Sequence, residues 1–401
     1  MFKSLVVALF ALAAPLATAA PIPADRAAIV AEARGETVYW HAWGGSPRIN
    51  AYIAWAGQEM AARYGVTVRH VKLSDTADAV SRVIAEKTAG RDEGGAVDLI
   101  WINGENFASM KAAGLLFGPW AEDMPNWALL ATETNPALTS DFALPTDGLE
   151  APWGAARLIF YHDAARLPDP PRTIAALLDW AKANPGRFTF PQPPDFLGVT
   201  FLKQALHDLT PDPALLQAPP DKAGFDAATA PLWRYLEELT PALWRAGRAY
   251  PQSEPRQMQL MADGEIDLAA NFGSGPISAA IASFELPETA RSYTLNGGTI
   301  GNAHFLAIPY NASAKAGAML LADFLLTPEA QARKLDPVIW GDATVLEMDK
   351  LSAADRARFD AINLGPATLT PGALGPALAE PQAAWTPAIE AEWTVRFGGA
   401  R

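Results

Sequence analysis

The sequence predicts an α/β protein of two lobes, each a mainly parallel sheet flanked by helices, joined by crossing segments. Apolar strand-like runs alternate with amphipathic helix-like runs, which favours parallel pairing. Turns rich in glycine or proline follow the strands, and the alternating set starts twice, near residues 37 and 158. The chain has 401 residues, half of them apolar, so it can bury substantial cores and more than one domain is expected.

The elements follow in order. Lys3 gives a positive start, Leu5 to Leu16 an apolar run, and Ala17, Ala19 and Ala20 small residues for cleavage, so residues 1–20 read as a secretory signal. The apolar run is shorter than the roughly 20 residues of a membrane span, and Pro21 and Pro23 follow it. Thr37 to Trp43 reads as a strand. Its helix has Ser46 as N-cap, Pro47 in the first turn, Ile49, Ile53 and Met60 on one face and Gly65 as the stop. Val66 to Leu73 is a second strand, and Asp75 to Gly90 a helix with Val80, Val83 and Ile84 inward. Val97 to Ile102 is apolar throughout, as a strand covered on both faces should be, and a helix runs from Asn103 toward Gly114. Residues 117–150 fit either a cleft wall or packing.

The second set begins with a strand at Leu158 to Tyr161. Thr173 caps a helix through Trp180, Arg187 to Phe190 is a strand, and a proline-rich loop leads to a helix at Gly198 to Leu209. Gln257 to Asp263 is helical, Ile266 to Ala270 a strand, Ser274 to Phe284 a helix and Ser292 to Leu295 a strand. The chain then crosses through GGTIGNAHFLAIP at 297–309. The expected division is 21–155 and 297–335 for the first lobe, 156–296 and 336–401 for the second.

Composition excludes several functions. Without cysteine there are no disulfides, thiolate metal sites, cysteine nucleophiles or lipid-modified amino-terminal cysteine. A net charge of −13 argues against nucleic acid and other polyanions, and fits either a cationic ligand or simple solubility. His41, His70, His162, His207 and His304 lack metal-ligand spacing, so neither metal nor cofactor is expected. No GxSxG, HExxH or P-loop pattern occurs, and Glu237 with Glu238 reads as a solvated helix face, so an enzyme is not expected.

In open parallel sheets ligands sit beyond the carboxyl ends of the strands. The turns there are AWGGSP at 42–47, WINGENF at 101–107, PQPPDFLG at 191–198 and NFGSGP at 271–276. They carry Trp43, Asn103, Glu105, Asn106, Asp195, Phe196, Asn271 and Phe272, flat rings with amides and carboxylates, which suit a flat or polar small molecule.

VDLIWINGENFASMKAAGLL at 97–116 and AGAMLLADFLLTPEAQA at 316–332 resemble the periplasmic solute-binding proteins of ABC transporters, in the ferric, polyamine and thiamine branch. The resemblance covers about 36 to 345 and continues more weakly through GDATVLEMDKLS and the helix from Trp385 to Phe397. WGGSPRIN, DLIWINGENF and GDATVL are similar to a thiamine-type subgroup. The resemblance implies the type II two-lobed periplasmic binding fold, a monomer closing about a hinge on a small solute, and delivery to a permease and ATPase complex. It also implies three crossings, so that the tail after about 336 returns to the second lobe. Iron is not expected, because the adjacent tyrosines of ferric relatives have no counterpart here.

Candidate ligand contacts each have a plainer alternative. Trp43 could pack between lobes, and Gly44 and Gly45 could serve a tight turn. One of Asn103, Glu105 and Asn106 could cap the helix that follows. Asp195, beside Phe196, could pair with a thiazolium or amine or be an ordinary loop carboxylate. Asn271 and Phe272 end a strand; Trp153, Thr299 and Asn302 lie at crossings, and Trp340 lines the cleft or packs the tail. The alternatives to a binding protein are an exported hydrolase of a small phosphate ester or glycoside and a ligand-sensing partner of a membrane receptor.

Overall fold

The computed structural model describes residues 26–398, and the leader read over 1–20 lies outside them. After α1 (Arg26–Ala33) come β1 (Thr37–Trp43), α2 (Pro47–Tyr64), β2 (Thr67–Leu73), α3 (Ala77–Thr88), β3 (Leu99–Ile102) and α4 (Glu105–Ala112). A small hairpin, β4 (Ser140–Asp141) and β5 (Leu144–Pro145), precedes the long β6 (Glu150–Asp163). Next are α5 (Ile174–Ala183), α6 (Phe196–Leu209), α7 (Lys222–Leu239), α8 (Glu254–Ala262), β7 (Leu268–Phe272), α9 (Gly275–Ala282) and β8 (Ala290–Tyr293). The chain returns through β9 (Thr299–Ala307) to α10 (Lys315–Leu325) and α11 (Pro328–Leu335). It ends with α12 (Ala353–Asp360), α13 (Pro371–Leu374), β10 (Ala377–Leu378) and α14 (Trp385–Phe397).

Local chemistry sets several of these boundaries. Ser46 Oγ accepts the Ile49 N–H at 3.4 Å, and Gly65 takes φ 69, which ends α2 at little steric cost. Thr173 caps α5 in the same way. In α3 the buried face differs from the expected one: Val80 and Val83 point inward, but Ile84 is 42% exposed. Glu86 takes the inward place instead, where its carboxylate accepts the Ala96 N–H at 3.1 Å and the Asn311 amide at 3.0 Å.

The sheet order is β2-β1-β3-β9-β6-β7, with β8 also on β6. Among the strand pairs of the described residues, those of β1 with β2 and β3, and the short β10 with β9, are parallel. Apart from the β9 pair with β10, the strands that carry the chain between lobes run antiparallel to their neighbours, so the sheets are mixed where mainly parallel ones were expected. Alternation of strand and helix gives direction only within a crossover unit, and β6 and β9 are not inside one. Strand β6 extends well beyond the expected 158–161: its first half pairs with β9 and its second half with β7 and β8. The Arg187 to Phe190 stretch makes one isolated bridge, Phe188 to Leu268, instead of a strand.

One core surrounds Trp40, Leu99, Phe107, Phe305 and Leu321, and is the first lobe's. The second lobe's sheet is covered on one face by Phe160, Phe201, Leu232 and Trp385, and on the other by Ile159, Ile277 and Ile281. The tail does not change lobes at 336, because Trp340, Val345, Leu346 and Phe359 still pack in the first core. It reaches the second lobe by Ala367 and finishes there with Trp385, Ile389 and Trp393. Of the two roles expected for residues 117–150, packing is seen: Trp120, Met124, Leu130 and Leu138 fill the first core, while Phe142 at the β4–β5 tip is buried outside it.

The crossings meet at one buried ionic knot. His304 Nε2 of β9 lies 2.9 Å from Asp342 Oδ2, and Lys334 Nζ donates to the same oxygen at 2.6 Å. Lys334 also donates to the Trp153 carbonyl of β6 at 2.6 Å and to the Ala343 carbonyl at 3.0 Å. Any side chain at Gly154 would enter the His304 ring and the Asp342 carboxylate.

Candidate functional site

Buried carboxylates of both lobes come within electrostatic range of one another in the crevice between them. On the first lobe, α4 has Gly104 at its N-cap with φ 61 and no side-chain cap. None of Asn103, Glu105 and Asn106 is therefore spent on capping. Glu105 Oε1 takes a long 3.4 Å contact from the Asn106 amide, and Oε2 is buried without a hydrogen-bond partner. Burial, with repulsion from Asp75 and Glu380, raises the Glu105 carboxyl above its ordinary range against the pull of its own N–H and Lys203.

The second lobe answers with acids of its own. Asp195 caps α6, its Oδ1 accepting Leu197 N–H at 3.0 Å and Gly198 N–H at 3.2 Å. Burial, with Asp75 adding repulsion, still pushes it up to about 6. Glu390 of α14 is pushed up to about 7 by burial and then by the charges of Glu105 and Asp75. Those couplings join opposite lobes.

Aromatic rings and one lysine complete the crevice. The β4–β5 tip presents Phe142, whose ring lies on the Gly104 backbone and 6.2 Å from the ring of Phe196; Phe196 in turn lies 5.2 Å from Phe272. Beside it, Asp141 accepts the Gly104 N–H at 2.7 Å, and burial holds its carboxyl far above the usual range. The Lys203 ammonium of α6 stands 4.2 Å from the Phe142 ring centre and 5.4 Å from that of Phe196. Its ion-pair partner is Glu380 Oε2 at 2.7 Å, and Asn302 of β9 donates to the other oxygen of Glu380 at 2.9 Å. The one ammonium pairs with one of these acids, Glu380, and stands against two of the rings.

Among the candidate residues, Glu105, Asp195, Phe196, Phe272 and Asn302 converge here. Asn271 is buried, its carbonyl oxygen holding the Phe272 N–H at 2.7 Å while its amide nitrogen is unpartnered. Thr299 is fully buried, its hydroxyl also unpartnered. Trp153 and Trp340 are packed away from the crevice, against one another and against Trp101, His304 and Tyr52 in the first core. Trp43 is half-buried with its ring over Gly45, and Gly44 abuts the Lys72 stem, so both glycines are required by crowding within the turn. Sequence reasoning missed Asp75, Asp141, Phe142, Lys203, Glu380 and Glu390. A lysine inside the apolar run of α6 was the one readable signal, since unpaired lysine is rarely buried.

A groove of about 500 Å³ lies elsewhere, between α9, the third crossing and α12. Its charged residues have local partners, Asp336 holding the Val338 N–H and Arg358 pairing with Asp355, so it has less call for a polar ligand than the crevice. Among the described residues no cluster of His, Asp and Glu suits a metal ion, and no helix is long and apolar enough to cross a membrane.

Comparison with known proteins agrees with this architecture. Residues 55–347 match the family described as bacterial extracellular solute-binding protein. The chain is similar to Protein YnjB of Escherichia coli strain K12, 46% identical over 367 residues, with 92% of each chain covered. Among solved structures it resembles a putative spermidine/putrescine ABC transporter protein from Listeria monocytogenes, with TM-score 0.64, 17% identity, and 91% and 99% of the two chains covered. It also resembles the periplasmic binding protein AfuA from Actinobacillus pleuropneumoniae, solved with fructose-6-phosphate, with TM-score 0.63, 13% identity, and 91% and 99% covered. At those identities the likeness shows the fold, that of the two-lobed type II periplasmic binding proteins.

Proposed function

The chain belongs to the bacterial extracellular solute-binding proteins, and from that premise we propose that it captures a small organic cation for an ABC importer, delivering it to the membrane permease. The observation that carries this reading is the set of under-compensated carboxylates facing one another from the two lobes, Asp75 and Glu105 against Asp195 and Glu390. Repulsion between them opposes closure of the empty protein. A cation between them reverses the sign of that term, so closure follows loading.

Flat rings refine the class. Phe142, Phe196 and Phe272 suit a planar, positively charged ring, and a thiazolium such as that of thiamine meets both requirements. Polyamines satisfy the charge but leave the rings less used. The two lobes hinge about the His304–Asp342–Lys334 knot, and the permease distinguishes loaded from empty protein by shape.

A thermal-shift and calorimetric panel of thiamine, its phosphates, putrescine, spermidine and fructose-6-phosphate tests the reading. The cations should raise the melting temperature, by about 2.7 kcal/mol of stabilisation at a hundredfold excess over Kd. Binding of fructose-6-phosphate alone would overturn the cationic assignment.

A further inference from the structure

The lobes are also bridged away from the carboxylates, at the start of α2. Arg48 belongs to the first lobe, yet its Nη2 lies 2.6 Å from Ser283 Oγ, 2.9 Å from Glu285 Oε1 and 3.3 Å from the Ala279 carbonyl of the second. The acceptors are also held by contacts of their own. Ser283 donates to Glu285 Oε1 at 2.8 Å, and the carbonyl end of α9 adds its own partial negative charge. Phe284, between the two acceptors, takes φ 60, a left-handed conformation that costs a side chain bearing a Cβ, and its ring is 89% exposed. The ring gains no packing from that bend, whereas Ser283 and Glu285 gain a shared guanidinium.

We infer that Arg48, with Ser283 and Glu285, is an interlobe latch that stabilises the closed form independently of the solute. Arg48 is a positioning residue: it touches no group of the candidate site and acts on affinity by setting how much of the empty protein is already closed. Part of the repulsion among the crevice carboxylates is thereby offset before loading. This rests on the two-lobed fold and not on the identity of the solute.

The chain has no cysteine, so a pair of introduced cysteines gives clean labelling. Spin labels at Ala85→Cys and Ala223→Cys, exposed positions on α3 and α7, report the interlobe distance in the ligand-free full chain by pulsed electron resonance, alongside small-angle scattering. Arg48→Ala should lower the closed-to-open ratio by roughly threefold to tenfold, Glu285→Ala by less, and the double variant no further than Arg48→Ala alone. Arg48→Lys, which keeps charge but loses the fork, should fall between. Half-molar salt should shift the wild type toward the open form relative to Arg48→Ala, because only the wild type has the exposed latch to screen. A wild type with no closed population, or variants whose distance distributions match it, would overturn the latch. Such a result would leave the cationic reading standing, since that is tested by ligand alone.

Discussion

Two buried lysines, one at the hinge and one in the crevice, are treated oppositely. Lys334 finds three acceptors, the Trp153 and Ala343 carbonyls and Asp342 Oδ2, so each of its three donors is used. Burial alone would raise Asp342, but His304 and Lys334 outweigh it and hold the carboxyl below its ordinary range. Lys203 is as deeply buried but has one carboxylate oxygen and two ring faces, and Asp141 and Glu105 near it stay raised. Charge is closed at the crossings and left under-compensated between the lobes.

The largest effect should come from opening the closed set. Asp342→Ala leaves Lys334 buried without its counter-ion and should cost about 3–5 kcal/mol, read as a lowered urea midpoint. A shift equivalent to less than about 1 kcal/mol would erase the contrast between the two regions.

In the crevice the sign should differ between stability and binding. Glu105→Gln and Glu390→Gln remove repulsion, so the ligand-free melting temperature should hold or rise. Thiamine affinity should fall about tenfold or more in each, the loss of one charge-assisted contact. Variants that melt earlier while binding normally would make these acids structural.

Acidity sharpens the same point. Asp195 and Glu390 have folded values of about 6 and about 7, above those of an unfolded chain, so the folded state holds more protons through that window. Their contribution to ligand-free stability should be fullest below about pH 4 and be lost as pH rises to about 7. A bound cation prefers the ionised forms, so affinity should strengthen over the same rise. Calorimetry at pH 6.5 in buffers of different ionisation enthalpy should show proton release on binding.

The contrast also explains what the sequence reveals. Strand-end turns, caps and periodicity are local, so Ser46, Gly65 and Thr173 fall where the pattern puts them. Asp195 and Phe196 are legible for the same reason, as parts of a turn. Antiparallel pairing of β6 with β9 joins segments nearly 150 residues apart, and nothing local encodes it. Asp141, Glu380 and Glu390 come to the crevice from a hairpin and the tail, elements whose destination depends on the finished fold. Trp153 and Trp340 lie near crossings, yet their large rings fill the first core and enclose the ionic knot.

The smallest effect concerns the tip that carries Phe142. Phe142 and Ala143 hold φ 43 and 62, a pair of left-handed residues in a two-residue turn where Asn-Gly is usual. Ala143→Gly should stabilise the fold by about 1 kcal/mol with binding unchanged, measured by thermal melting.

Carboxyl-carbon NMR titration of Asp195 and Glu390, without and with saturating thiamine, addresses the central claim most directly. The account predicts midpoints near 6 and 7 in the empty protein, both moving down by a unit or more when the cation binds. Midpoints near 4 that do not respond to the cation would contradict it.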